Sequence, residues 1–104
     1  MNEGEVLALI EQRMRGAFSV RRLVLFGSRA TGSARDDSDF DVLVVADSDA
    51  PFIERQRSAQ SAMGARSFAV DLLVYTPKEL ESEEQIPGST VYWALKEGRD
   101  FGAG

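Results

Sequence analysis

The sequence contains no cysteine and no histidine among its 104 residues. The absence of cysteine excludes disulfides, thiol chemistry and any metal site built from cysteines. The absence of histidine removes the commonest general base and a favoured zinc ligand. Any acid–base or metal chemistry in this chain therefore depends on its 17 aspartates and glutamates.

The chain is also without a long hydrophobic run and without an excess of positive charge. No apolar segment is long enough to cross a membrane and no signal peptide opens the sequence, which predicts a cytoplasmic protein without membrane contacts. Twelve basic residues against 17 acidic ones give a net charge of −5, so direct nucleic-acid binding is not expected. The length predicts a single domain over residues 1–104, with a frayed tail at 102–104.

The most distinctive stretch of the sequence is residues 23–45, which read LVLFGSRATGSARDDSDFDVLVV. The apolar run at 23–26 is typical of a buried strand, and it ends at Gly27, which can adopt a positive φ or approach a ligand closely. Ser28 is a good helix N-cap, so a short helix is expected to begin at Arg29. A strand, a Gly-Ser turn and a helix N-terminus direct N–H groups to one point, which suits a phosphate.

Two acids follow ten residues after the Gly-Ser pair, at the entrance of a second apolar run at 42–45. On a strand, Asp39 and Asp41 would point to the same side, where they repel unless a proton or a cation lies between them. Their oxygens suit Mg²⁺, which is usually held by one or two carboxylates plus substrate phosphates. An EF-hand calcium loop is excluded, because Val42 stands where that loop needs glycine and Ser48 where it needs glutamate.

A third acid, Asp71, lies inside the strand-like segment of residues 68–75. A carboxylate in a buried strand needs a partner or a proton. If this strand lies beside the second one, Asp71 can join Asp39 and Asp41, and the three carboxylates can hold one or two metal ions. The alternative is that Asp71 pairs with a structural arginine.

Two arginines, Arg29 and Arg35, lie between the Gly-Ser pair and the acids. Both are candidates for binding nucleotide phosphates, because guanidinium groups match phosphate oxygens. The alternative is that they pair with Asp36, Asp37 or another surface acid.

The remaining segments predict helices packed on a small sheet, which is an α/β or α+β fold. The expected helices cover residues 3–18, 52–66, 78–84 and 89–97, with caps at Thr76 and Ser89 and with Gly98 at a C′ position. In the second of these helices the expected inward positions are Phe52, Ile53, Ala59, Ala62 and Met63. Arg21 and Arg22 are expected before the first strand, residues 99–101 as a short edge strand, and Tyr92 and Trp93 as packing or interface residues.

The segments GSRATGSARDDSDFD and VDLLVY together resemble the signature of the DNA polymerase β nucleotidyltransferase superfamily, and most closely its minimal nucleotidyltransferase (MNT) group. The resemblance covers residues 6–101, nearly the whole chain. It implies a palm fold, a small mixed β-sheet with the acids on one open face. It also implies that Asp39, Asp41 and Asp71 are the catalytic residues and metal ligands.

The same resemblance implies a Mg²⁺-dependent transfer of a nucleoside monophosphate, AMP from ATP, to a hydroxyl group. The triphosphate would lie at Gly27 and Ser28. Proteins similar to this one often act as the antitoxin of a HEPN-family toxin, and some transfer AMP to a tyrosine of that toxin. Two alternatives stay open: an MNT-fold antitoxin that neutralises its partner by contact alone, and transfer to a small molecule such as an aminoglycoside. The presence of all three acids favours catalysis.

Overall fold

A computed structural model describes residues 1–102 of the protein. The helices are α1 (Glu3–Ala17), α2 (Ser28–Thr31), α3 (Phe52–Met63), α4 (Pro77–Glu84) and α5 (Thr90–Glu97). The strands are β1 (Ser19–Phe26), β2 (Phe40–Asp47), β3 (Val70–Tyr75) and β4 (Arg99–Asp100). Residues 103 and 104 of the expected frayed tail lie outside the described residues. None of the helices in residues 1–102 is long and apolar enough to cross a bilayer.

The four strands form one mixed sheet in the order β3-β2-β1-β4. Strands β2 and β3 are parallel, whereas β1 is antiparallel to both β2 and β4. The predicted small mixed sheet with helices packed on it is therefore confirmed, including the short edge strand β4. As a result of this topology, the end of β1 and the starts of β2 and β3 lie at the same end of the sheet, with β2 in the middle.

Alternation along β2 divides the core between the two faces of the sheet. Val42 and Val44 pack with α1 and α3, whereas Leu43 and Val45 pack with Ala94 of α5. Each fully buried side chain of this kind contributes about 1.5–3 kcal/mol to stability. Because successive side chains on a strand point to opposite faces, Asp41 belongs to the face covered by α4 and α5.

Local capping sets the starts of the later helices as the sequence predicts. Thr76 caps α4 in a reciprocal capping box with Pro77 in the first turn, and the Ser89 hydroxyl accepts from a backbone N–H of α5. Gly98, in contrast, is not a left-handed C′ residue, because its φ is −78°. Its small size matters for packing instead, since a Cβ there would lie 2.2 Å from the Ala94 carbonyl oxygen.

Strand β1 is longer than its apolar run suggests. It begins at Ser19, so Arg21 and Arg22 lie inside the strand and not before it, which corrects the sequence-based expectation. Both arginines are exposed and bind acids on neighbouring strands, at 2.8 Å from Asp47 and 2.9 Å from Asp100. Cross-strand pairing with acids thus allows charged residues to extend a strand whose buried part is short.

Helix α3 also differs from its prediction. It ends at Met63, followed by Gly64 with a φ of 62°, and its buried residues are Arg55, Ala59 and Met63. Phe52 is 37% exposed and Ile53 is 58% exposed, so neither is an inward position. The buried residues of α3 recur every four positions, and the first of them, Arg55, is charged. A search for apolar residues at helical spacing therefore does not detect this buried face.

Arg55 is the buried charged residue that joins α3 to the rest of the domain. It is 3% exposed, and its guanidinium donates to the Val74 carbonyl at 3.1 Å and to the Ala50 carbonyl at 2.6 Å. Its remaining terminal nitrogen binds the Glu79 carboxylate of α4. The hydrogen bonds that Arg55 donates to three segments therefore compensate for the burial of this charge.

Candidate functional site

The candidate site lies where β1 ends and where β2 and β3 begin. The chain turns there at Gly27, whose φ of 75° favours glycine. A Cβ at this position would lie 2.3 Å from Oδ2 of Asp41, so only a glycine lets the backbone come this close to the carboxylate. Gly27, and not Ser28, is the N-cap of α2, which corrects the expected serine cap. The positive φ makes the turn, and Ser28 becomes the first helical residue.

The parallel pairing of β2 with β3 brings two of the predicted acids together. Asp41 and Asp71 are direct partners in the register, so their side chains lie on neighbouring strands. Burial raises the pKa of Asp41, and the negative charges of Asp71 and Asp39 raise it further. A cation bound at this point would reduce the electrostatic repulsion among the three carboxylates.

Asp71 is exposed, although its apolar flanks predicted a buried carboxylate. The reason is that β3 is an edge strand of the sheet, and Asp71 lies near its start. The alternative pairing with a structural arginine is not seen, because no ion pair to Asp71 occurs in residues 1–102. An exposed acid opposite a half-buried one leaves room for a ligand to approach from the edge.

The fit of these acids to Mg²⁺ depends on how many ligands the protein must supply. Among the acidic side chains of residues 1–102, no group of three or more is arranged to hold a metal ion by itself. Mg²⁺ is usually bound by only one or two carboxylates, with water and substrate phosphates completing its octahedron. The facing carboxylates of Asp41 and Asp71, with Asp39 close enough to influence the pKa of Asp41, fit an ion of that kind.

The two predicted phosphate-binding arginines occupy different environments. The Arg29 guanidinium donates to the Ser38 carbonyl through both Nε, at 3.0 Å, and Nη2, at 2.8 Å. Arg35 is exposed and contributes its backbone N–H, which donates to Oγ of Ser38 at 2.8 Å. Within the described part of the chain, neither guanidinium forms an ion pair with Asp36 or Asp37.

A groove of about 330 Å³ adjoins the Gly27 turn, and the sequence patterns did not predict it. Its lining residues come from the end of β1, from α2 and from α5: Phe26, Gly27, Thr31, Thr90, Trp93 and Glu97. Trp93 is 47% exposed, so it is not a core packing residue. The spacing of Thr90, Trp93 and Glu97 along a helix is the signal that could have revealed this surface.

Comparison with known proteins relates this arrangement to characterised folds. A family model described as a nucleotidyltransferase domain matches residues 7–98. A crystal structure of a toxin–antitoxin with AMP-PNP is 25% identical, with 99% of this chain and 75% of that chain covered and a TM-score of 0.60. No curated protein sequence matches the chain.

Two further solved structures share the fold at lower identity. The toxin–antitoxin MntA–HepT is 23% identical, and a tri-AMPylated Shewanella oneidensis HEPN toxin in complex with MNT antitoxin is 22% identical. In both cases 97% of this chain and 70% of the other chain are covered, with a TM-score of 0.51. The sheet and the helices described above are therefore an arrangement found in other solved chains.

Proposed function

Because the chain belongs to the nucleotidyltransferase domain family, we propose that it transfers AMP from ATP to a hydroxyl group of a partner protein. The family resemblance predicted from the motifs is thereby confirmed. The observation that supports the proposal most directly is the register of β2 and β3, in which Asp41 faces Asp71. The Gly27 turn lies directly beside Asp41, and a groove of about 330 Å³ adjoins the same turn.

In this proposal Asp39, Asp41 and Asp71 are the catalytic and metal-binding residues. Mg²⁺, when bound, supplies the positive charge that neutralises phosphate oxygens and favours ionisation of the attacking hydroxyl. Asp41 and Asp71 approach from neighbouring strands, so they can share one cation, and Asp39 adds a third carboxylate at the start of β2. Asp71 is exposed at the sheet edge, where it can accept the proton of an incoming hydroxyl.

The bond changes follow from that assignment. The acceptor oxygen forms a bond to the α-phosphorus, the bond from that phosphorus to the bridging oxygen breaks, and pyrophosphate leaves. Gly27 and Ser28 hold the triphosphate, because a glycine at that turn lets the backbone approach its oxygens. Arg35 has its side chain exposed and can reach a phosphate, whereas the Arg29 guanidinium is bound to loop carbonyls.

The partner in this proposal is a HEPN-family toxin, and a tyrosine is the acceptor. The proposal is supported by the similar solved structures, one of a toxin–antitoxin with AMP-PNP and one of a tri-AMPylated HEPN toxin with its MNT antitoxin. The net charge of −5 suits a basic partner. We propose that the pair acts in the cytoplasm.

The test is to incubate the protein with ATP, Mg²⁺ and the product of the neighbouring gene, and then to measure the intact mass of that partner. The wild-type protein is expected to add one or more adenylyl groups. Asp39→Asn and Asp41→Asn should abolish the mass gain while the variants stay folded. Glu81→Gln, an exposed change on α4, is the matched control and should transfer normally.

Two results would contradict the catalytic proposal. One is an unmodified partner after incubation with the wild-type protein. The other is full neutralisation of the toxin by Asp39→Asn and Asp41→Asn without any adenylyl mass, which would favour an antitoxin that acts by contact alone.

A further inference from the structure

Arg29 contacts the chain on both sides of Asp39, one of the candidate metal ligands. We propose that Arg29 is a positioning residue that fixes Asp39 for metal binding, and that it acts through the backbone on either side of that aspartate. The inference rests on the proposed function, because it concerns the same carboxylates. It differs from the sequence-based interpretation, in which Arg29 contacts phosphate directly.

The first part of the evidence is the fork of hydrogen bonds to the residue that precedes Asp39. Nε and Nη2 of Arg29 both donate to the Ser38 carbonyl oxygen, at 3.0 and 2.8 Å. Nη2 also lies 3.2 Å from the Asp36 carbonyl oxygen and 3.4 Å from that of Arg35. Charge-assisted bonds of this kind are stronger than neutral ones, so one side chain holds the whole turn at residues 35–38.

The second part is the contact with the residue that follows Asp39. The guanidinium carbon of Arg29 lies 4.0 Å from the centre of the Phe40 ring, and Phe40 is only 3% exposed. Phe40 is itself held by its backbone N–H, which donates to the Ala69 carbonyl at 2.9 Å. Arg29 therefore contacts both chain neighbours of Asp39, one by hydrogen bonds and the other by a cation–π interaction.

Asp39 needs such support because, within residues 1–102, it has no partner in the strand pairing. It precedes the first residue of β2, so it lies outside the strand pairing that fixes Asp41 opposite Asp71. It is exposed, and its negative charge and that of Asp41 repel each other, which favours a position further out in solvent. Hydrogen bonds from the Arg35 N–H to Ser38 Oγ and from the Ser38 N–H to the Arg35 carbonyl close the turn but do not attach it to the rest of the domain. Without the fork from Arg29, the turn could therefore move in that direction.

Simple electrostatics predicts the opposite effect, which makes the inference testable. Removing a positive charge near a cation site should strengthen cation binding if charge alone matters. If Arg29 positions Asp39, its removal should weaken cation binding, as changes to residues that orient metal ligands do by about 10–100-fold. If Arg29 only contacts phosphate, cation binding in the absence of nucleotide should not weaken.

The experiment measures Mn²⁺ binding to the full-length, nucleotide-free protein by electron paramagnetic resonance or calorimetry. Arg29→Ala should raise the Kd for Mn²⁺ by about 10-fold or more. The matched control is Arg57→Ala, which removes one positive charge from an exposed position on α3 outside the candidate site, and it should leave the Kd unchanged. Arg29→Lys keeps the charge but loses the fork, so it should also weaken binding.

A double-mutant cycle shows whether Arg29 acts through Asp39. Because the two residues are proposed to act in series, Arg29→Ala should add no further loss in an Asp39→Asn background. Unchanged or tighter Mn²⁺ binding by Arg29→Ala would overturn the inference, and so would full additivity of the two losses. If Arg29→Ala does not fold, Arg29→Lys decides by the same criteria.

Measurements of Mn²⁺ binding and AMP transfer by the wild-type protein distinguish a failure of this inference from a failure of the proposed function. A wild-type chain that binds no Mn²⁺ and transfers no AMP rejects the proposed function, and this inference with it. A wild-type chain that binds Mn²⁺ and transfers AMP, beside an Arg29→Ala variant with the same Kd, rejects only the role of Arg29.

Discussion

Among single residues, Gly27 matters both for the fold, because its backbone makes the turn after β1, and for the candidate site, because that backbone lies against the Asp41 carboxylate. Its φ of 75° disfavours other residues, and a Cβ there would overlap the Asp41 carboxylate. Gly32, at the end of α2, has a φ of 82°, but a Cβ added there would have nothing within 4 Å of it. Both glycines have a positive φ, but the ψ of −157° at Gly27 lies in a region almost restricted to glycine, whereas the ψ of 9° at Gly32 is left-handed helical. Only Gly27 also touches the candidate site.

We expect both Gly27→Ala and Gly32→Ala to destabilise the fold, Gly27→Ala more strongly, and only Gly27→Ala to impair the candidate site. A non-glycine residue with positive φ costs about 1–3 kcal/mol, so both variants should unfold at lower urea concentrations. Gly27→Ala should also lose Mn²⁺ binding and AMP transfer, because the new methyl group displaces Asp41. Normal transfer by Gly27→Ala would contradict the close approach of Gly27 and Asp41.

Between elements, the contact of Arg55 with Glu79 ties α3 to α4. The Glu79 carboxylate also accepts the Thr76 backbone N–H at 2.9 Å, so one side chain serves a helix cap and an ion pair. Burial by itself would raise the pKa of Glu79, but the hydrogen bonds from Arg55 and Thr76 outweigh that effect and lower it. The charged form of Glu79 is thus favoured in the folded state.

A lowered pKa at Glu79 predicts a specific acid sensitivity. The unfolded chain binds the proton more readily than the folded chain, so stability rises with pH in this range. The contribution of Glu79 is fully present above its ordinary pKa of 4.5, and it is lost as the pH falls through the lowered value in the folded state.

Glu79→Gln should therefore flatten the loss of stability between about pH 5 and pH 3. At neutral pH it should cost about 1 kcal/mol, because Arg55 keeps a hydrogen-bond partner but loses a charged one that solvent partly screens. Urea unfolding at several pH values measures both effects. Glu81→Gln, on the exposed side of the same helix, is the control; an equal flattening there would show that the general charge of α4 is responsible.

The elements that depend on local sequence could be predicted, whereas those that depend on distant partners could not. The caps at Thr76 and Ser89 follow from residues within one turn, and the structure contains them. The buried position of Arg55 depends on carbonyl groups of other segments, which no spacing along α3 reveals. In the same way, the exposure of Asp71 depends on its strand lying at the sheet edge.

For the protein as one body, the candidate site depends on pairing between distant segments. The motif spacing identified Gly27 and Asp41 as candidates, because they stand at the end and at the start of apolar runs, and Asp71 as a carboxylate inside the third strand-like segment. The parallel register that sets Asp41 opposite Asp71 is a property of the whole sheet. The contacts of Arg29 with Ser38 depend on the conformation of a polar loop, which apolar patterning does not determine.

The single tryptophan of the chain gives a direct test of where the nucleotide binds. Trp93 lines the groove that contains Gly27, and it is 47% exposed. If the triphosphate lies at the Gly27 turn, titration with ATP and Mg²⁺ should change the emission of Trp93. At 100 times the Kd, the nucleotide should add about 2.7 kcal/mol to the free energy of unfolding, which raises Tm by roughly 10–20 °C.

Calorimetry on the same samples shows whether ATP binds, whereas the emission of Trp93 shows whether it binds in this groove. Gly27→Ala should show neither the heat of binding nor the change in emission, because the turn that holds the triphosphate is altered. Saturable binding of ATP to the wild-type protein without any change in Trp93 emission would place the nucleotide away from this groove. In that case the Gly27 turn could not hold the triphosphate, since Gly27 and Trp93 line the same groove.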